Sequence, residues 1–528
     1  MARAKINNID YVLLSLFMGE DNLEMLIRHE DIDVNKKGKH GFTLLLAAAE
    51  IGDARTAELL LGEEGINVNK GLKDGTSPLY TAAIKGHEQI VEMLLRSKDI
   101  SVNELNKHGF TPLYAAAEMG HARVVEMLLR KGGIPVNQAM PDGATPLHIS
   151  AQKGQHGVVE ILLREEGIDV NPEMTDGATP LQMAAENGYE IVVKMLVGEA
   201  DIDVNHQDTF GATALYMAAQ NGHKDIAKLL LRCKKIQLNQ STDEGATPLQ
   251  IAAENGHAEV VKLLMGKKGI HLNKRDKEGF NALYIAAQNG HSEVVNLLKE
   301  GKGIKVNQSV DDGATPLYIA AQRGHVAVVE ILISDHRVHV NQGKSNFTPL
   351  YIAAQKGYDR VVALLLKRRE IRINQTMNDG ATALFAACER GHVKVVELLL
   401  RKEEIVVHWT LNIAAQNGHD KVVELLLRED RVNVNATVDH GFTPLSIASL
   451  YGHLKVVELL LEKEEIEVDK VDRDGGTPLL YAAEGRHYKI VKLLLSYHLR
   501  YHLKVSSTTW YQLKKMGIFH RLVFRRSV

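Results

Sequence analysis

Cysteine is scarce in this chain of 528 residues, which contains only Cys233 and Cys388. Two thiols so far apart in sequence cannot form a disulfide framework, and they fit a reducing compartment. No apolar run approaches the roughly 18 residues that a membrane-spanning helix requires. The apolar run from Tyr11 to Met18 is short and lacks the small-residue cleavage site of a signal peptide. These absences predict a cytoplasmic protein, with the nucleus as the alternative address.

A strong charge of one sign is also absent, since the formal net charge is −3. No global field therefore attracts nucleic acid, and we do not expect it as a partner. The exception is the stretch from Gly485 to Val528, which carries ten Lys or Arg and no Asp or Glu. We expect residues 497–528 to form a basic tail, a cap helix with a loosely ordered end. Removal of residues 505–528 should then leave the fold intact. Contact of this tail with a membrane surface or nucleic acid is the alternative.

Motifs of catalysis are missing as well: the chain has no phosphate loop, no zinc-protease helix and no nucleophile elbow. The carboxylates are many, but they fall on the solvated faces of predicted helices. We therefore expect no enzyme activity, no catalytic residue, no cofactor and no small-molecule substrate.

What the chain has instead is a repeat of 34 residues. The segment Asp-Gly-Ala-Thr-Pro-Leu begins at Asp142, Asp176 and Asp312. A second pattern, Ala-Ala-Glu/Gln-Asn-Gly-His followed by Val-Val-Glu-Leu-Leu, accompanies it. Fourteen repeats can be counted in this way, and a period of this length predicts a solenoid. The threonine position recurs at Thr43, Ser77, Thr111, Thr145, Thr179, Thr213, Thr247, Asn281, Thr315, Thr348, Thr382, Thr443 and Thr477.

Each repeat predicts two short helices. Asp-Gly makes a tight turn, and a threonine such as Thr315 then caps the inner helix with its hydroxyl. Proline follows at the first helical position, where its missing N–H costs nothing. The paired alanines let neighbouring helices approach closely, and Gly324 ends the inner helix in the left-handed region. The outer helix carries apolar residues at helical spacing, as in Val328–Leu332. A short extended piece, Val338–Asn341, leads to the next turn.

Thr-Pro-Leu, Ala-Ala, Gly-His and Val-Val-x-Leu-Leu together resemble the ankyrin repeat, roughly over residues 9 to 496. The resemblance implies an all-α repeat solenoid of helix-turn-helix units with short β-hairpin loops. Residues 1–39 would be an N-terminal capping repeat and residues 40–496 the tandem array. It also implies a non-catalytic scaffold or adaptor that binds other proteins. A microbial or viral effector that sequesters a host protein, and a substrate adaptor of a ubiquitin ligase, are the alternatives.

In this family, partners dock on the concave side, where the hairpin tips and inner helices lie. The two positions after the alanine pair map there, and they form a polar ladder. Its candidate partner-binding members are Gln152, Glu186, Asn187, Gln220, Asn221, Glu254, Asn255, Gln288, Asn289, Gln322 and Arg323. The alternative is that these side chains only solubilise a groove or cap the inner helices. Large rings often dominate interfaces, so four turn aromatics are the candidate anchors: Phe110, Phe280, Phe347 and Phe442.

Ten of the 24 histidines occupy one repeat position, one in each of ten repeats. Because no two share a layer, we expect them to be structural rather than metal ligands. They are His87, His121, His223, His257, His291, His325, His392, His419, His453 and His487. The resemblance also implies that the Asn ending each extended piece can be hydroxylated, as at Asn69, Asn103, Asn171, Asn205 and Asn435. We favour the simpler interpretation that each Asn stabilises its turn.

The period is interrupted once by a large step. Between Gly391-His392 and Gly418-His419 the spacing is 27 residues, and the Asp-Gly turn is lost near residues 404–411. We expect the hairpin to be missing there, while the inner helix around Leu411–Gln416 still stacks on its neighbours. The lost hairpin either has no role or creates a kink or a notch specific for a partner.

Overall fold

The computed structural model describes residues 33–38, 40–501 and 507–515. The expected N-terminal capping repeat, residues 1–39, lies outside the described residues except for 33–38. The chain divides into two compact units, Met1–His271 and Leu272–Val528. Within the described residues each unit contains seven pairs of short helices, an inner helix followed by an outer one.

The N-terminal unit contains the first fourteen helices that the structure describes. In chain order they are α1 (Leu44–Ile51), α2 (Ala54–Leu61), α3 (Pro78–Lys85), α4 (Glu88–Arg96), α5 (Pro112–Met119), α6 (Ala122–Lys131), α7 (Pro146–Gln152), α8 (His156–Leu163), α9 (Pro180–Asn187), α10 (Glu190–Leu196), α11 (Ala214–Gln220), α12 (Lys224–Leu230), α13 (Pro248–Glu254) and α14 (Ala258–Met265).

The C-terminal unit repeats this order and adds one helix at its end. It contains α15 (Ala282–Asn289), α16 (Ser292–Lys299), α17 (Pro316–Arg323), α18 (Val326–Ile333), α19 (Pro349–Lys356), α20 (Asp359–Leu365), α21 (Ala383–Arg390), α22 (Val393–Leu400), α23 (Thr410–Gln416), α24 (Asp420–Leu426), α25 (Pro444–Tyr451), α26 (Leu454–Leu461), α27 (Pro478–Glu484), α28 (Tyr488–Arg500) and α29 (Ser507–Lys515). A 3-10 turn, Asp439–Gly441, precedes α25.

The inner helices begin where the threonine series predicts. The hydroxyl of Thr315 accepts a hydrogen bond from the backbone N–H of Tyr318 at 3.2 Å, and Pro316 fills the first helical position. Such a cap satisfies one of the orphan N–H groups of a helix and stabilises it by about 1 kcal/mol. Asn281, the one asparagine in the series, caps α15 in the same way through its side-chain oxygen. Local sequence therefore fixes the start of each of these helices.

Packing follows the order of the chain within each unit. Inner helices pack on the next inner helix, as α3 does on α5, and outer helices pack on the next outer helix, as α18 does on α20. Most outer helices carry paired valines, which are fully buried together with the following leucine, as at Val328, Val329 and Leu332. Burial of each such side chain contributes about 1.5–3 kcal/mol. The all-α repeat architecture that the sequence predicts is confirmed.

The loops between repeats form projecting turns, which we call fingers. In the finger between α6 and α7, the N–H of Met140 donates to Ala144 O at 2.8 Å and that of Gly143 to Met140 O at 2.9 Å. Gly143 has a φ of 87°, which favours glycine. No regular strand occurs in the described part of the chain, and its one isolated bridge joins Lys344 and Phe347. The hairpin loops are thus hydrogen-bonded turns rather than ladders of paired strands.

At the shortened repeat, the chain passes from an outer helix to an inner helix with no finger. His408 and Trp409 lead directly into α23. Trp409 occupies the N-cap position and has a φ of 55°, in the left-handed region. Helix α23 packs on α21 and α25 like any other inner helix. The inner helix expected over this stretch is therefore present, and the hairpin is absent, as the sequence predicts.

The C-terminal end contains the expected cap helix, and the last outer helix is longer than the repeat pattern predicts. Helix α28 continues past Ser496 to Arg500 because His498 is buried there, with its Nε2 2.5 Å from Asp469 Oδ1. Helix α29 packs on α27 and buries Leu513, which is 1% exposed. The apolar residues among the cations explain the difference, since they give the stretch a face that can cover the last repeat.

Candidate functional site

The polar ladder lies at the C-terminal ends of the inner helices. Gln152 ends α7 and Gln220 ends α11, and both side chains are exposed. Glu186, Asn187, Asn221, Glu254, Asn255, Asn289 and Arg323 are exposed too, whereas Gln288 and Gln322 are half-buried. The structure thus places every predicted ladder residue at the surface, at an equivalent position of its own repeat.

Histidines of the following repeat hold the ladder backbone in place. His257 Nε2 donates to the carbonyl of Gln220 at 2.9 Å, and His325 Nε2 donates to that of Gln288 at 2.9 Å. The same bond joins His121 to Ile84, His223 to Glu186, His392 to Gln355, His419 to Glu389, His453 to Gln416 and His487 to Leu450. These histidines are therefore structural clamps between successive repeats.

The asparagines of the ladder are engaged in capping. Asn187 Nδ2 donates to Met183 O at 2.8 Å, and Asn221 Nδ2 donates to Met217 O at 3.1 Å. Asn255 Nδ2 donates to Gln220 O of the preceding repeat at 3.1 Å. Their amides thus add a second donor to backbone carbonyls near the C-terminal ends of the inner helices.

The glutamines of the ladder differ from the asparagines. Among the described residues, the side chains of Gln152, Gln220, Gln288 and Gln322 form no hydrogen bond, so both ends of each carboxamide face solvent or a partner. Glutamine and glutamate alternate along the first ladder position of the N-terminal unit: Glu118, Gln152, Glu186, Gln220 and Glu254. In the C-terminal unit the second ladder position is cationic in three successive repeats, at Arg323, Lys356 and Arg390.

The four turn aromatics are half-buried rather than free. Phe110 and Phe280 stack on the tyrosine four residues later, Phe347 meets its tyrosine edge to face, and Phe442 packs on the tyrosine of the next repeat. Burial raises the pKa of Tyr114 and of Tyr284 to about 12, so these phenols stay neutral. The ring centroids are 5.3 Å apart for Phe110 and Tyr114, 4.9 Å for Phe280 and Tyr284, 5.2 Å for Phe347 and Tyr351, and 5.2 Å for Phe442 and Tyr481.

Three exposed apolar side chains, which the sequence did not reveal as candidates, lie at a finger tip or on the ladder. Phe210 lies at a finger tip and is 70% exposed, which makes it the most exposed aromatic ring of the N-terminal unit's described residues. Met119 and Tyr451 occupy second ladder positions and are exposed. The sequence contains a signal for Met119 and Tyr451, since both stand two positions after the pair of small residues. Phe210 precedes the turn glycine instead of following it, so the aromatic series did not include it.

Asparagines at the ends of the loops form a second set of links between repeats. Asn205 Nδ2 donates to Lys235 O at 2.9 Å, and its Oδ1 accepts from the N–H of Gln237 at 2.8 Å. Eleven asparagines form both bonds: Asn35, Asn69, Asn137, Asn171, Asn205, Asn239, Asn273, Asn307, Asn341, Asn374 and Asn435. We call this pair of bonds the Asn bridge; it joins each loop to the next repeat, not only to its own turn.

Comparison with protein families agrees with this geometry. A model of three successive ankyrin repeats matches the chain in ten overlapping segments, from residues 13–105 to residues 411–505. The chain belongs to the ankyrin-repeat family. Ankyrin repeats are generally modules of protein–protein interaction and are typically non-catalytic, which fits a surface built of repeated exposed side chains on a clamped backbone. A search of curated proteins finds no match to this ankyrin-repeat chain. Among its described residues no helix is long and apolar enough to cross a membrane.

Proposed function

We propose that this protein is a non-catalytic scaffold or adaptor that holds partner proteins along its ladder and finger tips. The observation that carries the proposal is the pair of properties found at Gln220. Its side chain is exposed and forms no internal hydrogen bond within the described residues, while its backbone carbonyl is clamped by His257 at 2.9 Å. A fixed backbone lowers the ordering cost of binding. Such a residue has no evident role in its own repeat and is presented rigidly to a partner.

Binding of this kind is spread over several repeats. A hydrogen bond to an exposed carboxamide contributes about 1 kcal/mol net, so no single ladder residue dominates. The exposed Phe210, Met119 and Tyr451 supply apolar contacts on the same features, and the half-buried turn aromatics supply ring edges. The cations at Arg323, Lys356 and Arg390 favour an acidic stretch of the partner along the C-terminal unit.

The state of the thiols supports a reducing, cytoplasmic location. Cys233 and Cys388 are both free. Burial raises the pKa of both thiols, and Cys388 lies in the core beside the paired small residues. A buried thiol with a raised pKa is a packing residue rather than a nucleophile.

The test compares two sets of substitutions on partners identified by affinity purification and mass spectrometry. The ladder set replaces Gln220, Glu254, Gln288 and Gln322 with alanine, and the control set replaces the outer-helix residues Glu259 and Lys262. Substitutions of exposed residues usually change stability by less than about 0.5 kcal/mol, and a thermal melt checks this for both sets. We expect the ladder set to lose the partners and the control set to keep them. Loss of binding in the control set alone would place the interface on the outer helices and refute the proposal.

A further inference from the structure

The shortened repeat of the C-terminal unit leaves a vacancy one finger wide. In a regular repeat, eight positions separate the bridging asparagine from the helix cap, as from Asn307 to Thr315. Here His408, which occupies the asparagine position, is followed at once by Trp409 in the cap position. Seven residues equivalent to Gln308–Ala314 are therefore missing, and with them one finger.

Backbone groups that join some pairs of neighbouring fingers have no hydrogen-bond partner on either side of this vacancy, as is also true at the regular junction of Glu278 and Asp311. Neighbouring fingers are joined by a hydrogen bond from the N–H of Ser345 to Asp312 O at 3.1 Å, and from that of Arg473 to His440 O at 2.8 Å. At the vacancy the corresponding groups are the carbonyl of Asp379 and the N–H of Asp439. Neither has a hydrogen-bond partner within the described part of the unit.

The Asn bridge is missing at the same place. Asn374, one repeat earlier, donates to Glu404 O at 2.7 Å and accepts from the N–H of Val406 at 2.9 Å. His408 should make the equivalent bonds to the carbonyl of Arg431 and the N–H of Asn433. Among residues 272–501 and 507–515, no group donates to that carbonyl or accepts from that N–H. The N–H of Asn433 and the carbonyl of Arg431 therefore both lack a partner. At eleven other junctions the carboxamide of an asparagine bonds to both of the equivalent groups.

A cavity of about 400 Å³ lies between these groups. Its walls include Val406 and Trp409, which are 41% and 51% exposed, together with Arg431 and Asn433. It also borders Asn412, which is only 3% exposed and whose Oδ1 has no hydrogen-bond partner. A buried acceptor without a donor costs about 1–3 kcal/mol, so the shortened repeat keeps one unsatisfied polar group beside the cavity.

The cause of that deficit lies in side-chain length. Gln182 occupies the position equivalent to Asn412 in its own repeat, and its Oε1 accepts from the N–H of Thr179 at 2.8 Å. Asparagine is shorter by one methylene group. Asn412 keeps the donor contact, from Nδ2 to Ala436 O at 3.0 Å, but its oxygen lacks the equivalent of the threonine N–H.

We propose that this notch, formed by Val406, Trp409, Asn412, Arg431 and Asn433, binds a loop of a partner protein that presents an asparagine carboxamide. The carboxamide donates to the carbonyl of Arg431 and accepts from the N–H of Asn433, as the missing asparagine would. The flanking residues of the loop lie in the place of the missing finger, against the indole of Trp409. The site is separate from the ladder and does not depend on it.

Local charge favours a neutral side chain over an anion. The guanidinium of Arg431 is already bonded to Leu400 O at 3.1 Å, to Glu403 O at 3.0 Å and to Glu429 Oε2 at 2.6 Å. An aspartate in place of the asparagine would direct a carboxylate at the carbonyl of Arg431 and would have no proton to donate. The site therefore distinguishes asparagine from aspartate.

The test uses a labelled peptide that copies a regular finger of this chain, residues 307–314 (Asn-Gln-Ser-Val-Asp-Asp-Gly-Ala), with blocked ends. Its binding to the full chain is measured by fluorescence anisotropy. We expect saturable binding, and about tenfold weaker binding of the Asn307→Asp peptide, which corresponds to the loss of one hydrogen bond. Equal affinities of the two peptides, or no binding at about 1 mM, would overturn the proposal.

Two protein variants locate the site. One restores the finger by His408→Asn and by insertion of a copy of residues 308–314 after position 408; we expect it to lose peptide binding. The other, the outer-helix substitution Glu259→Ala, should bind as the native chain does. If the native chain dimerises and the restored finger abolishes the dimer without changing peptide affinity, the occupant is a second copy and the proposal is wrong. If the restored chain does not fold, the two peptides on the native chain still decide the question.

Discussion

Replacement of one loop asparagine by alanine should loosen one junction between repeats by an amount set by its hydrogen bonds. Asn205 forms two, to Lys235 O at 2.9 Å and from the N–H of Gln237 at 2.8 Å. At about 1 kcal/mol for each bond, Asn205→Ala should cost about 2 kcal/mol. Asn103 forms only one, to Gly133 O at 2.8 Å, because Pro135 occupies the position of the second donor and has no N–H. Asn103→Ala should therefore cost about 1 kcal/mol or less.

The same comparison predicts a stabilising substitution. Oδ1 of Asn103 is buried and has no partner, whereas the equivalent oxygens of Asn137 and Asn171 accept from the backbone N–H groups of Asp169 and Asp203. Pro135→Asp restores that N–H. If the backbone keeps its present course, it should stabilise the junction by about 1 kcal/mol.

The measurement is amide hydrogen exchange followed by mass spectrometry on the full chain, because a long repeat array need not unfold in two states. A loss of about 2 kcal/mol corresponds to about 30-fold faster exchange near Gln237 in Asn205→Ala, against about fivefold or less near Gly133 in Asn103→Ala. Thr242, outside the junction, serves as a local control in the first variant. Equal acceleration in the two variants, or a larger one for Asn103→Ala, would refute the argument from paired bonds.

Three further predictions test the packing of the repeats. Gly222→Ala should lower the melting temperature more than Gly269→Ala does. Both glycines have a positive φ, so both substitutions strain the backbone. A Cβ at Gly222 would also lie 2.5 Å from the ring of the clamping His257, whereas a Cβ at Gly269 meets no atom within 4 Å. Burial lowers the pKa of His148, so its stabilisation is complete above the unfolded pKa of about 6.5 and is lost as pH falls from that value through the lower pKa of the folded state. His148→Gln should flatten this part of the stability–pH curve. Deletion of residues 505–528, or Leu513→Ala, should lower the melting temperature, since helix α29 covers α27; no change in either variant would restore the view that the tail is dispensable.

The sequence predicts the helices well because their signals are local. The cap Thr315, the proline after it and the terminal Gly324 lie within a single helix, and the structure places each in its expected role. The histidine clamp and the Asn bridge join residues 30 to 37 positions apart, as in His257 to Gln220 and Asn205 to Lys235. The period indicates that these residues are structural, but no local rule indicates which carbonyl they bind.

The candidate site was harder to predict for the same reason. The sequence places the ladder at the surface, yet it does not separate the asparagines, which cap helices, from the glutamines, which are left unbonded within the described residues. That distinction follows the position in the repeat, since each asparagine stands one residue later than the glutamines, where a side chain such as that of Asn187 bonds the carbonyl four residues earlier. The packing of α29 on the last repeat was equally hard to predict, because it is a tertiary contact outside the repeat pattern. Helix α29 packs on α27, and its Leu513 is buried.

The shortened repeat shows that the solenoid has two layers that respond differently to a deletion. In the helix layer, α23 is still clamped on both sides: His419 donates to Glu389 O at 2.9 Å, and His453 donates to Gln416 O at 2.9 Å. In the finger layer the same deletion removes a finger, an Asn bridge and the links to both neighbours. Because burial of apolar helix faces carries most of the stability, the fold tolerates loss of the fingers locally. Variation in the fingers can therefore change what the array binds while the helices keep its repeats in order.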